Sequence, residues 1–90
     1  QIPDSYALQQ NFPNPFNPST NISFQLPENG LVNISIYDIN GKLVEELVNK
    51  NLSAGNHLIE WNAVNYPSGI YFYRITNGSF TDVKKMILVK

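Results

Sequence analysis

The chain has no cysteine, one histidine, one tryptophan and one methionine in 90 residues. Without cysteine there is no disulfide to hold a small fold together, so a packed core must do so. There is also no thiol nucleophile, and His57 alone cannot assemble a Cys/His metal cluster. The lack of cysteine does not assign a compartment, because exported bacterial domains often lack disulfides too. Charge is scarce as well: 14% of residues are charged, against roughly 25% in an average domain. The net charge of −1 provides no global field for nucleic acid or an anionic membrane. No apolar run approaches the ~20 residues that span a bilayer. The sequence opens at Gln1 without methionine or a signal-peptide pattern, and reads as a piece of a longer protein.

What is present is turn punctuation. Five glycines, at 30, 41, 55, 69 and 78, stand between apolar runs. Short runs separated by turn signals at such intervals predict an all-β sandwich or barrel. Residues 21–26 alternate, with Ile22, Phe24 and Leu26 on one face. Residues 31–37 alternate with Val32, Ile34 and Ile36 inward. Asn40-Gly41 suits a tight hairpin turn of the primed type, and Asn77-Gly78 is a second hairpin signal. In residues 42–48 the apolar pair Val44 and Leu47 is three apart, which breaks the strand period and predicts a bulge. The composition of residues 42–50 also suits a short helix, although no clear N-cap precedes it. Residues 57–61 place His57, Ile59 and Trp61 together. Residues 70–76 oppose Tyr71, Tyr73 and Ile75 to Ile70, Phe72 and Arg74. Residues 80–89 form the last strand, and a short one near Tyr6 to Gln9 brings the total to seven. The predicted fold is a seven-stranded antiparallel Ig-like β-sandwich.

The segment Asn11 to Thr20, NFPNPFNPST, stands apart. Prolines at 13, 15 and 18 fix their own backbone and push the preceding residues out of the helical region. The segment is therefore an extended or turning strap, and Phe12 and Phe16 are its candidate anchors at the edge of the core.

No catalytic constellation emerges. No serine sits in a nucleophile-elbow pattern, and the acids Asp4, Glu28, Asp38, Glu45, Glu46, Glu60 and Asp82 read as solvated. Glu45 and Glu46 are neighbours on a strand and point to opposite faces, which does not suit a glycosidase pair. Asp38 with Asn40 suits a cap on the 38–41 turn. His57 reads as a structural or exposed strand residue. Trp61 with Tyr66, Tyr71 and Tyr73 admits two readings, core packing or a sugar-stacking surface. Lys84, Lys85 and Lys90, with Arg74 on the adjacent strand, form the one basic cluster. They read either as charges protecting an edge strand or as a docking surface, with MILVK available for strand addition to a partner sheet. Asn-x-Ser sequons at Asn21, Asn33, Asn51 and Asn77 read as coincidences of an Asn-rich chain.

Several patterns then follow in one order: NFPNPFNPSTNISFQLPENG, VNISIYDINGKLVEEL, LSAGNHLIEWNA, YPSGIYFYRI and KKMILVK. Together they resemble the C-terminal sorting domain (type A) of the bacterial type IX secretion system. The resemblance covers residues 9–90 and leaves 1–8 as a linker from upstream cargo or a short first strand. The stretch from Val32 to Tyr73 is also similar to the Ig-like domain of flagellar hook-capping proteins. The resemblance implies a non-catalytic, cofactor-free and metal-free domain that ends a secreted precursor, with Lys90 as its last residue. Its cargo would pass an outer-membrane translocon, chiefly in Bacteroidetes. A sortase would then remove the domain, and the cargo would be released or held at the cell surface. The implied signature residues are Asn14, Pro15, Gly69, Tyr71, Lys85 and Lys90, to which the basic cluster adds Lys84. From another class, the competing function is a carbohydrate-binding or structural accessory module of a secreted hydrolase.

Overall fold

The computed structural model describes residues 2–90 of the chain. Gln1, the first residue of the expected linker, lies outside the described residues. Seven strands follow in order: β1 (Ala7–Leu8), β2 (Ser19–Leu26), β3 (Gly30–Asp38), β4 (Leu43–Leu52), β5 (Gly55–Asn62), β6 (Gly69–Asn77) and β7 (Phe80–Leu88). They form a three-stranded sheet, β1-β2-β5, and a four-stranded sheet, β4-β3-β6-β7. Every strand pairing is antiparallel. Alternation puts one face of each strand inside, because successive side chains point to opposite sides of a sheet. Ile22, Phe24 and Leu26 from β2 meet Val32, Ile34 and Ile36 from β3 and Tyr71, Tyr73 and Ile75 from β6 in one buried cluster. Met86 and Leu88 of β7 complete it.

Residues 43–52 are strand throughout, so the helical alternative for 42–50 is excluded. The predicted phase break is there, and it occurs twice. The β3–β4 register shifts between Ile34 and Ser35 and again between Ile36 and Tyr37, which leaves Leu47 and Val44 without opposite partners. Each is an extra residue on the edge strand that twists it and discourages edge pairing. The bulges also change which side chain is inside: Val48 is buried, whereas Val44 and Leu47 are only half-buried.

Both hairpin signals mark hairpins, but neither forms the primed Asn-Gly turn. Among the described residues none other than glycine has positive φ, and a type I′ turn requires it at both central positions. At the first hairpin the Gly41 N–H donates to Asp38 O and the Asp38 N–H donates to Lys42 O, each at 2.9 Å. Gly41 takes φ +82°. This is a three-residue loop with glycine in the left-handed position. Asp38 Oδ1 caps it by accepting from the Asn40 and Lys42 N–H groups at 2.9 and 3.0 Å, in line with the expected cap. At the second hairpin Asn77 pairs with Phe80, so the loop is Gly78-Ser79. Gly78 at φ +58° leads a type II′ turn.

Candidate recognition surfaces

The strap, residues 11–18, crosses from β2 in one sheet to the outer edge of β7 in the other. Its N-terminal end is tied down by buried polar groups that the sequence reading did not single out. Asn11 and Thr20 are 2% and 1% exposed. The Asn11 N–H donates to the Tyr73 hydroxyl at 2.7 Å, and that hydroxyl donates to Gln9 O at 2.6 Å. Asn11 Nδ2 donates to Thr20 Oγ1 and to Pro13 O, which also accepts from Thr20 Oγ1. One signal could have found this network. Tyr73 sits at an inward position of a central strand, and a buried phenol needs a partner. Burial pushes the Tyr73 hydroxyl up to about 12; the charge of Asp82 adds to this and the Asn11 amide opposes it.

Only one of the two expected anchors is an anchor. Phe16 is 2% exposed and packs on Trp61, with ring centroids 5.8 Å apart. Phe12 is 78% exposed. The reason is register: Phe12 bridges Asn21, an exposed residue on the outer face of β2, and paired residues share a face.

The strap also seals the outer edge of β7. Phe16 and Leu88 form a parallel bridge. The Phe16 N–H donates to Ile87 O, and the Val89 N–H donates to Phe16 O. Asn14 Oδ1 accepts from the Ile87 N–H at 3.0 Å, and Gln10 Nε2 donates to Lys85 O at 2.7 Å. The MILVK run is therefore not an open edge for strand addition. Gln10 and the strap already occupy its outward groups from Lys85 O through Ile87 to the Val89 N–H.

The expected signature residues fall around this seam in different roles. Asn14 and Pro15 are exposed on the strap, and Asn14 caps the β7 edge. Gly69 opens β6 opposite Leu88. Tyr71 is buried, donates to Pro67 O at 2.7 Å and meets Trp61 edge-on at 5.5 Å. Burial raises its hydroxyl pKa, and Asp38 adds to the shift. Lys90 is on the surface but engaged: its ammonium donates to Val64 O and Tyr66 O at 2.6 and 2.7 Å, and its N–H donates to Ser68 Oγ. It closes the 63–68 loop onto the end of the chain. Lys84 and Lys85 separate, as successive strand residues must. Lys84 shares the side of Met86 and is half-buried; Lys85 is exposed on the outer face.

Two further readings change. Trp61 is 1% exposed and surrounded by Phe16, Tyr66 and Tyr71, so it offers no face for stacking on a sugar. Glu45 is not simply solvated. Its Oε1 accepts from Trp61 Nε1 at 3.0 Å and from the Tyr66 hydroxyl at 3.1 Å. Burial and this bond both raise the Tyr66 pKa. His57 lies on Phe24, centroids 5.3 Å apart, with Nε2 2.7 Å from Ser53 O, a structural placement. Among the described residues no group of three or more His, Cys, Asp or Glu could hold a metal ion, and no helix is long and apolar enough to cross a membrane.

Two facing antiparallel sheets of three and four strands define an Ig-like β-sandwich. Residues 10–90 match the model of the secretion system C-terminal sorting domain family, and the chain belongs to that family. Its members are sorting signals for type IX secretion, directing cargo to secretion or the cell surface. Comparison with curated protein sequences returns no match. Among solved structures, the chain is similar to part of dimeric latent PorU from Porphyromonas gingivalis, with a TM-score of 0.73 and 23% identity. The match covers 94% of this chain and 9% of that one, and at this identity it supports the fold alone.

Proposed function

We propose that the folded sandwich, rather than a linear peptide within it, is what the outer-membrane translocon of the type IX system reads. A cell-surface sortase then removes the domain from its cargo. The observation that supports this is a joint between segments far apart in sequence: Gln10 and the strap of residues 11–18 bond to residues 85–89. Signature residues far apart in sequence are assembled only in the folded state. The domain itself is non-catalytic in this reading, and its lone histidine and its Glu45 carboxylate serve packing and hydrogen bonding. Residues 9–90 form the sorting unit. Within residues 1–8, Tyr6 to Leu8 support that unit: Tyr6 stacks on Phe80 at 4.6 Å and Leu8 is 5% exposed.

The test is fusion of residues 1–90 to a periplasmic reporter in a host that has this system. The reporter is expected in the medium or on the cell surface, with a new C-terminus upstream of Asn11 by mass spectrometry. A reporter retained in the periplasm with its domain intact contradicts the proposal. Exported reporter that still carries Lys90 contradicts the sortase step alone.

A further inference from the structure

The two outer faces of the sandwich differ in chemistry. Antiparallel sheets ordinarily turn polar residues outward. The β2–β5 face does so, with Asn21, Ser23, Gln25, Asn56 and Glu60, and Leu58 as the apolar exception. The β3–β6–β7 face is polar at one end, with Asn33, Thr76 and Thr81, and apolar towards the other. Tyr37 pairs with Phe72 across β3 and β6, and Ile70 pairs with Ile87 across β6 and β7. Val83, 49% exposed, lies opposite Arg74. These side chains form a partly exposed apolar strip on a solvent face, with Lys85 between Val83 and Ile87, the kind of patch that marks an interaction site.

Two cations frame the strip. Arg74 is exposed, lies over the Tyr37 ring at 4.8 Å and donates to its hydroxyl. Lys85 is exposed opposite Phe72. Of this sheet's carboxylates, Glu46, opposite Ser35 on β3, is the one that shares this outer face. Asp38 caps its own turn, Glu45 holds Trp61 and Tyr66, Glu46 accepts from Asn33, and Asp82 accepts from the Val83 N–H. Two cations against this one carboxylate leave the face with an excess of positive charge for a partner to complement.

We propose that this face docks an apolar protein surface with an acidic rim on the export machinery, an inference that rests on the sorting role proposed above. A protein fits better than an anionic lipid. Only two cations border an apolar centre, and the net charge of −1 gives no general attraction to an anionic surface.

The test uses the reporter fusion with Arg74→Glu and Lys85→Glu together, and Glu60→Lys on the opposite face as control. Because like charges placed across an interface cost several kcal/mol, the double reversal is expected to cut export about tenfold or more. Its thermal midpoint should stay near that of the original domain, and Glu60→Lys should export normally. If the double variant fails to fold, Lys85→Glu alone carries the test, since Lys85 is exposed. Wild-type export with a folded double variant exporting equally well overturns the docking face and leaves the sorting role standing. A wild-type fusion that is not exported overturns both. Equal loss from Glu60→Lys overturns the assignment to this face. So does a wild-type dimer that the double reversal dissociates, or binding to phosphatidylglycerol vesicles that the reversal abolishes.

Discussion

At the residue scale, one pair of phenylalanines separates burial from composition. Phe16→Ala removes a buried ring from the core and is expected to cost about 3–5 kcal/mol. Phe12→Ala, three quarters exposed, is expected to change stability by less than about 0.5 kcal/mol; urea titration of the two variants checks the contrast. Tyr73 gives a pH dependence. Its folded pKa of about 12 lies above the ordinary value of 10.0, so the neutral phenol is favoured by folding. The resulting stability is complete below pH 10 and lost as pH rises from 10 towards 12. Tyr73→Phe is expected to lower stability at pH 7 by about 1–3 kcal/mol, because it strands the Asn11 N–H and Gln9 O. The variant should also show a smaller loss between pH 10 and 12, measured by urea titration across that window. The inward side of Tyr73 was legible from alternation alone. Its partners were not, because Gln9 and Asn11 lie more than 60 residues away and no local pattern links them to it.

At the element scale, the strap and β7 behave as one unit. In an antiparallel ladder alternate residues direct their backbone groups outward, and on β7 these are Thr81, Val83, Lys85 and Ile87. Amide exchange is expected to be slow at Ile87 and Val89, which donate to the strap, and fast at Thr81 and Lys85 on the uncovered stretch. Asn14→Ala should speed exchange at Ile87 and leave Val89 protected; equal exchange at all four amides contradicts the seal. Strand positions and the bulge of β4 followed from short-range periodicity: Val44 and Leu47 could not both be inward on a regular strand. Turn type did not follow from the Asn-Gly dipeptides. Asp38 Oδ1 captured the amides of Asn40 and Lys42, and with Asn40 at negative φ the loop grew by one residue. The covered edge was illegible for a different reason. The proline segment shows that it is not helix, but its pairing with residues 85–89 is a long-range event.

At the scale of the whole molecule, the strap, the start of β6 and residues 85–90 meet in one region. The strap lies on β7, Gly69 faces Leu88, and Lys90 holds the 63–68 loop. This geometry is what supports the proposal of a conformational sorting signal. The family was legible from ordered motifs, but the division of labour within them was not: Tyr71 is core, Lys90 is a latch, and Lys84 and Lys85 face opposite sides. The proposed docking face joins Arg74 of the expected basic cluster to Tyr37 and Phe72, which no motif singled out, because each looks ordinary until the register aligns them. The most direct measurement is export of the reporter fusion against the fraction of domain folded, across wild type, Phe12→Ala, Phe16→Ala and Trp61→Ala. The account predicts that export follows the folded fraction, with Phe12→Ala exporting like wild type and the two core variants losing export as they unfold. Undiminished export from an unfolded Phe16→Ala or Trp61→Ala domain would show that a linear peptide is the signal, and would contradict it.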